Sequence, residues 1–195
     1  MPRVSKAEAE KNRAIIEQVS SRLFREQGFH GISVADLMGA AGLTHGGFYG
    51  HFESKDALAA IACTRAFEES EARWRKRVNE APDHATALSS LIDAYLSTRN
   101  RNNAGTGCAV AALANDVARE SDDKPVRAAF HEGLETLVDI LAEVQPDADA
   151  DARRCAALAQ MATLAGALIL SRATQGTPLS NEILAATRGW LLPEG

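Results

Sequence analysis

The stretch SVADLMGAAGLTHGGFYGHFESKDAL, Ser33 to Leu58, reads as two very short helices joined by a tight turn, with a third helix beginning directly after them. Ser33 and Asp36 form a capping-box-like start, with Asp in place of the usual Glu. Val34, Leu37, Met38 and Ala41 recur at helical spacing, so one face of the first helix can be buried. Gly42 stands where a helix must stop and the backbone must turn through positive φ. Leu43 plugs the corner, and Thr44 is placed to cap the next helix. Helix, glycine-bearing turn and second helix are the outline of a helix-turn-helix.

The second helix, at about residues 45–51, carries three glycines, Gly46, Gly47 and Gly50. Each costs about 1 kcal/mol against alanine inside a helix, about 3 kcal/mol together. An element that only packed against a core gains nothing from that cost. A helix whose backbone must approach a partner surface does, because a missing Cβ permits the approach. Phe48 and Phe52, four apart, anchor the segment inward, leaving Tyr49 and His51 to project outward. Ser54 caps the following helix and Lys55 sits in its first turn. A cation there opposes the helix dipole, which points to a visiting anion, with DNA phosphate as the candidate.

The run AAGLTHGGFYGHFESKDAL, preceded by a helix ending at Gly28-Phe29, resembles the DNA-binding domain of the TetR/AcrR family of bacterial transcriptional regulators. The likeness covers about residues 9–69 and leaves about 70–195 as a C-terminal regulatory and dimerisation domain. It implies an all-α homodimeric repressor that binds a palindromic double-stranded DNA operator and whose body binds an inducer. Thr44, His45, Gly46 and Gly47 are then expected in the major groove, at the N-terminal end of the recognition helix. Ser33, Tyr49, His51 and Lys55 are expected on phosphates, which position the protein without reading sequence.

A chain of 195 residues, 46% hydrophobic and 24% charged, has the composition of an ordinary globular protein. The net charge of −5 is unpromising for DNA, but it is unevenly spread. Residues 1–60 hold seven Lys/Arg against seven Asp/Glu, so the whole acidic excess lies beyond them. A neutral head on an acidic body is the weak form of a nucleic-acid footprint. Cys63, Cys108 and Cys155 are widely spaced, with no C-x-x-C pair, which argues for reduced cytoplasmic thiols and against a zinc or disulfide framework. No apolar leader segment is present at the N-terminus. The run Cys155 to Leu170, interrupted by Gln160 and Thr163, falls short of a membrane span, and no membrane partner is expected. His84 and His131 have no metal-ligand spacing, so neither metal nor cofactor is expected.

Residues 1–5 read as a loose arm, followed by a helix from Lys6 to Gln27 opened by a Ser5–Glu8 capping box. Ile15, Ile16, Val19, Leu23 and Phe24 form its inner face. Arg3, Lys6, Lys11 and Arg13 either meet a phosphate backbone or are simply solvated. A long helix from Ser54 to about Val78 connects head to body. Its basic run, Arg73 to Arg77, reads as a solvated face with Trp74 inward, some 30 Å from the helix start at 1.5 Å per residue. Further helices are expected at about 83–101, 108–118, from Pro125 to before Pro146, 149–174 and 180–192, about nine in all, with a polar loop at Asn100–Gly107. The small residues Ala156, Ala157, Ala159, Ala162, Ala165, Gly166 and Ala167 suggest a two-fold four-helix dimer interface through about 149–192.

Gly105-Thr106-Gly107-Cys108 places a thiol in the first turn of an expected helix, where free N–H groups favour a thiolate. Arg99 and Arg101 could add positive potential. Cys108 is therefore a candidate sensor, or else a small buried hydrophobe. The segment GCAVAALANDVA also resembles one branch of the family, some members of which respond to electrophiles. The other expected input is an apolar small molecule held between body helices, with Phe67, Trp74, Tyr95, Leu113, Phe130 and Leu134 as candidate walls. An enzyme with Cys108 as nucleophile would need a base such as His131. No nucleophile motif supports it, and the chain is read as non-enzymatic. A helical ligand carrier without DNA binding is the third reading.

Overall fold

The computed structural model describes residues 5–146 and 149–193, and among these the chain forms nine α-helices and two short 3-10 helices. The first helix, α1 (Lys6–Gln27), is capped by Ser5, which accepts the Glu8 N–H at 3.2 Å, and ends at Gly28 with φ 76°. Ile16, Leu23 and Phe24 are buried on its inner face, with Ile15 and Val19 partly so. Ser20, Ser21 and Arg25 are buried as well, which hydrophobic spacing does not indicate. Arg3 lies outside the described residues.

In α2 (Val34–Ala40) the Ser33–Asp36 capping box is complete in both directions, and Gly42 makes the turn at φ 72°. A 3-10 helix over His45–Gly50 follows, then α3 (Lys55–Glu80), capped by Ser54 through the Ala57 N–H at 3.0 Å. α3 is continuous for 26 residues, about 39 Å at 1.5 Å per residue, and runs from the head into the body. There it packs along α7 (Pro125–Glu143). Gly133 of α7 lies so close to Phe67 of α3 that a Cβ would overlap the ring.

The helix expected over 83–101 is two helices, α4 (His84–Tyr95) and α5 (Thr98–Asn102). The break has local causes. Ser97 caps α5 by accepting the Asn100 N–H at 3.2 Å, and the Asn100 side chain donates to the Tyr95 carbonyl at 2.7 Å. Together these satisfy both helix ends at the joint. A 3-10 turn over Ala104–Thr106 leads into α6 (Ala109–Val117), with Cys108 at its N-cap. The chain closes with α8 (Ala150–Ala173) and α9 (Pro178–Leu191). α7 and α9 each open on proline, whose fixed φ and missing N–H suit a first turn.

Leu137, Ile140 and Leu141 of α7 and Leu164 and Leu168 of α8 are wholly buried at the centre of the body. By length and composition α8 is apolar enough to cross a membrane, despite Gln160 and Thr163. In the fold its Ala157, Met161, Leu164 and Leu168 face is packed inside the body. Cys155 is exposed on α8, whereas Cys63 is buried. Leu158, Leu170, Leu179 and Trp190 also lie exposed on α8 and α9, Trp190 at 72%.

Candidate nucleic-acid interface and body cavity

The segment after Gly42 folds so that one side is anchored and the other is bare. Phe48 is fully buried, with its ring 5.7 Å from that of Phe52 and edge-on to Tyr49 at 5.2 Å. Arg13 of α1 lies over the Phe52 ring at 4.7 Å and donates to the His51 carbonyl at 2.7 Å, while its Nε pairs with Glu17. This arginine is committed to holding the turn shut, by a cation–π contact and a hydrogen bond. The short helix is 3-10 and not α. Thr44 occupies the N-cap with extended backbone, but its side chain makes no capping bond; its carbonyl accepts the Gly47 N–H at 3.0 Å.

Thr44, His45, Gly46, Gly47, Tyr49 and Gly50 form one continuous exposed surface, with Tyr49 69% exposed. None of these glycines has positive φ. A Cβ at Gly46 or Gly50 would meet nothing within 4 Å, and one at Gly47 would make only ordinary contacts with Met38 and Thr44. Neither packing nor backbone conformation within the chain asks for glycine here. Ser33 is exposed beside this surface, but its hydroxyl donates to the Asp36 carboxylate at 2.5 Å. That bond holds the Asp36 carboxyl below its usual pKa. His51 is half-buried. Lys55, also half-buried, points Nζ at the Ile32 carbonyl, 2.5 Å away, so one of its three donors is already used.

A second feature lies in the body. α3, α4, α5 and the segment leading to Cys108 enclose an open cavity of about 940 Å³. Trp74 and Tyr95 line it, their rings edge-on at 6.1 Å. The other expected walls do not. Phe67 and Leu113 are core, and Phe130 and Leu134 pack against that core, with the Phe67 and Phe130 rings 5.3 Å apart. The apolar side chains at helical spacing were needed for the helix–helix contacts themselves, and the walls left over are mainly polar: Ser70, Thr86, Ser89, Ser90, Asn100 and Thr106 among them.

Within the basic run of α3, Arg75 and Lys76 pair with Glu143 and Glu80 on the surface, as a solvated face should. Arg73 and Arg77 are exposed too, with Trp74 inward as expected, but they border the open cavity, as does the exposed Arg99. Burial by the cavity walls and the like charge of Arg25 hold the Arg73 guanidinium below its ordinary pKa. Cys108 is buried at the cavity wall, and its Sγ accepts a hydrogen bond from the Tyr95 hydroxyl at 3.0 Å. Burial, then the neighbouring thiol, push the Tyr95 phenol well above its usual pKa. His131 is exposed on α7 and is not the thiol's hydrogen-bond partner. Arg101, expected near the thiol, bonds Ser180 and Asn181 of α9; Arg172 of α8 takes its place, donating to the Asn100 and Arg101 carbonyls.

Residues that no periodicity could single out join head and body. Buried Arg25 of α1 pairs with Glu69 at 2.7 Å and donates to the Gly107 carbonyl. The Phe29 N–H donates to Asp116 at 3.0 Å, His30 meets Glu120 at 2.8 Å, and Lys124 meets Asp56 at 2.5 Å.

These two surfaces belong to a recognisable class. Residues 16–61 match the model for bacterial regulatory proteins of the tetR family, and residues 84–181 match that for the C-terminal domain of LmrA/YxaF-like transcriptional regulators. The chain belongs to the TetR family of DNA-binding transcriptional regulators, whose members act as dimers on DNA operators and bind small molecules. It is similar to the HTH-type transcriptional regulator AcrR of Shigella flexneri, 41% identical over 58 residues, which are 30% of this chain and 27% of that protein. The match thus spans about a quarter of that relative's length. The fold is shared with a TetR-family regulator from Agrobacterium tumefaciens (TM-score 0.78, 23% identity, 94% of this chain and 97% of that one). It is likewise shared with the reduced form of E. coli NemR (TM-score 0.75, 17% identity, 91% and 95%).

Proposed function

We propose that this chain is a homodimeric repressor that leaves its operator when a small molecule enters the body cavity or when Cys108 is modified. The head is residues 9–69 and the body 70–195. Thr44, His45, Gly46 and Gly47 enter the major groove; Ser33, Tyr49, His51 and Lys55 meet phosphates, Lys55 with the donors left after its bond to Ile32. The observation that carries this reading is the row of glycines on a bare surface, where a Cβ at Gly46 or Gly50 would touch nothing in the chain. What excludes a side chain there is a partner that comes close to the backbone. With so few side chains offered, base readout is sparse and phosphate contacts supply much of the affinity.

The exposed apolar residues of α8 and α9, Leu158, Leu170, Leu179 and Trp190, are covered by the same face of a second copy. The route from cavity to DNA runs through the segment Asn103–Cys108, which lines the cavity and touches α1. Gly105 is pressed against Arg22 and Glu26, and Gly107 is bonded to Arg25. A ligand or a modified thiol that shifts this segment tilts α1, and so changes the spacing of the two heads. A gel shift with the DNA flanking the protein's own gene tests the reading. A discrete, salt-sensitive shift is expected; no shift at any salt concentration would favour a carrier or an enzyme.

A further inference from the structure

Three arginines, Arg73, Arg77 and Arg99, line the cavity without an ion pair to a carboxylate; the nearest acid acting on Arg73, Glu69, is held by Arg25. Elsewhere many arginines are paired with acids, Arg13 with Glu17, Arg25 with Glu69, Arg75 with Glu143, Arg154 with Glu135 and Asp139, while Arg101 and Arg172 are bonded to α9 side chains and to carbonyls. Inside the cavity, Arg73 donates only to the Ser70 hydroxyl at 3.1 Å and Arg77 only to Ser90 at 3.3 Å. Arg99 lines the same space, with no carboxylate in reach. The single acid on the wall, Asp93, is already engaged by Arg188, with its two oxygens 2.6 and 3.4 Å from guanidinium nitrogens. Three like charges converge on one concavity in a chain of net charge −5. Such convergence raises the energy of the empty site, and an anion relieves it.

From this we infer that the effector is an organic oxyanion, a carboxylate or phosphate ester held by Arg73, Arg77 and Arg99. Guanidinium groups present paired N–H donors that match such groups. The volume of about 940 Å³ far exceeds that of an inorganic ion, and the Ser and Thr walls hydrogen-bond a polar body attached to the anionic group. The inference rests on the proposal that this cavity is the effector site, and it names the chemistry that the site selects.

The test uses the full-length protein without DNA, so its outcome is independent of operator binding. Fluorescence titration compares 1-anilinonaphthalene-8-sulfonate with the neutral N-phenyl-1-naphthylamine, which has the same rings. The anionic probe should bind at least tenfold more tightly. Arg73→Gln and Arg77→Gln should each weaken it tenfold while leaving the neutral probe within twofold, with Arg119→Gln, outside the cavity, as the control. Benzoate and phenyl phosphate then compete for the bound probe, and whichever displaces it at the lower concentration identifies the anionic group. Equal affinity for the two probes would overturn the inference. So would loss of thiol reactivity at Cys108 in Arg73→Gln with unchanged probe binding, because the arginines would then serve the thiol and not a ligand.

Discussion

Arg25 of α1 donates through Nη1 to the carbonyl oxygen of Gly107 at 3.2 Å and through Nη2 to the Glu69 carboxylate at 2.7 Å. One buried guanidinium thus ties the first helix of the head to the long connecting helix and to the segment beneath the cavity. Few single groups touch all three parts. A charge buried in this way is costly unless it is paired and hydrogen-bonded, and here the Ser21 carbonyl accepts from Nε and the Ser21 hydroxyl from Nη2. Arg25→Met should cost about 2–4 kcal/mol, since it strands the Gly107 carbonyl and leaves Glu69 without its closest partner. At about 2–4 °C per kcal/mol, calorimetry should find Tm lowered by roughly 5–15 °C. A Tm within a degree of the parent would mean that head and body are joined elsewhere.

The head was legible from its sequence because each of its signals is local. Ser33 with Asp36, Gly42, and Phe48 with Phe52 act on neighbours within four residues, and the fold places them as read. What failed there was the helix type: three glycines and an uncapped Thr44 leave a 3-10 segment in place of an α-helix. The cavity was not legible. Phe67, Leu113, Phe130 and Leu134 have the spacing of buried side chains, and spacing does not distinguish a core contact from a ligand wall. Arg73 and Arg77 are solvated as read, but that they border a cavity depends on which face of α3 meets α4, which tertiary packing decides. Arg25, on the inner face of α1, finds Glu69 44 residues away, a pairing invisible to any local pattern.

Gly133 illustrates such long-range fitting, because Phe67 occupies the place where its Cβ would be. Gly133→Ala should cost about 1–3 kcal/mol through overpacking, read as a lower urea midpoint. Replacing Phe67 by Leu in the same chain should recover part of that loss. If the alanine variant alone matched the parent, α3 and α7 would have to be packed less closely than described.

Cys63 gives the fold an alkaline weakness. Burial pushes its thiol from the usual value near 9 up to about 12. The folded state therefore keeps its proton while the unfolded chain loses its own. The associated stability is complete below pH 9 and declines as pH rises from 9 toward 12. Urea denaturation across that range should show falling stability, with a shallower fall in Cys63→Ala. The same burial predicts that Cys63 resists alkylation at pH 8 until the protein unfolds, which mass spectrometry of the labelled peptides would check.

Trp190 and Leu170 stand exposed on α9 and α8 as parts of the proposed dimer face. Leu170→Glu together with Trp190→Glu should give a monomer by light scattering, with helicity and Tm close to those of the parent body. The variant should lose operator binding, because two heads must engage at once. A dimer of unchanged mass would place the interface on another surface.

Operator affinity in Gly46→Ala and Gly47→Ala tests whether DNA lies against this stretch of backbone. Within the protein an added methyl meets open space or ordinary contacts, so each variant should be as stable as the parent or more so, by up to about 1 kcal/mol. Each should nonetheless lose at least tenfold in affinity for the operator at fixed salt. Folded, dimeric variants that bind within twofold of the parent would contradict it.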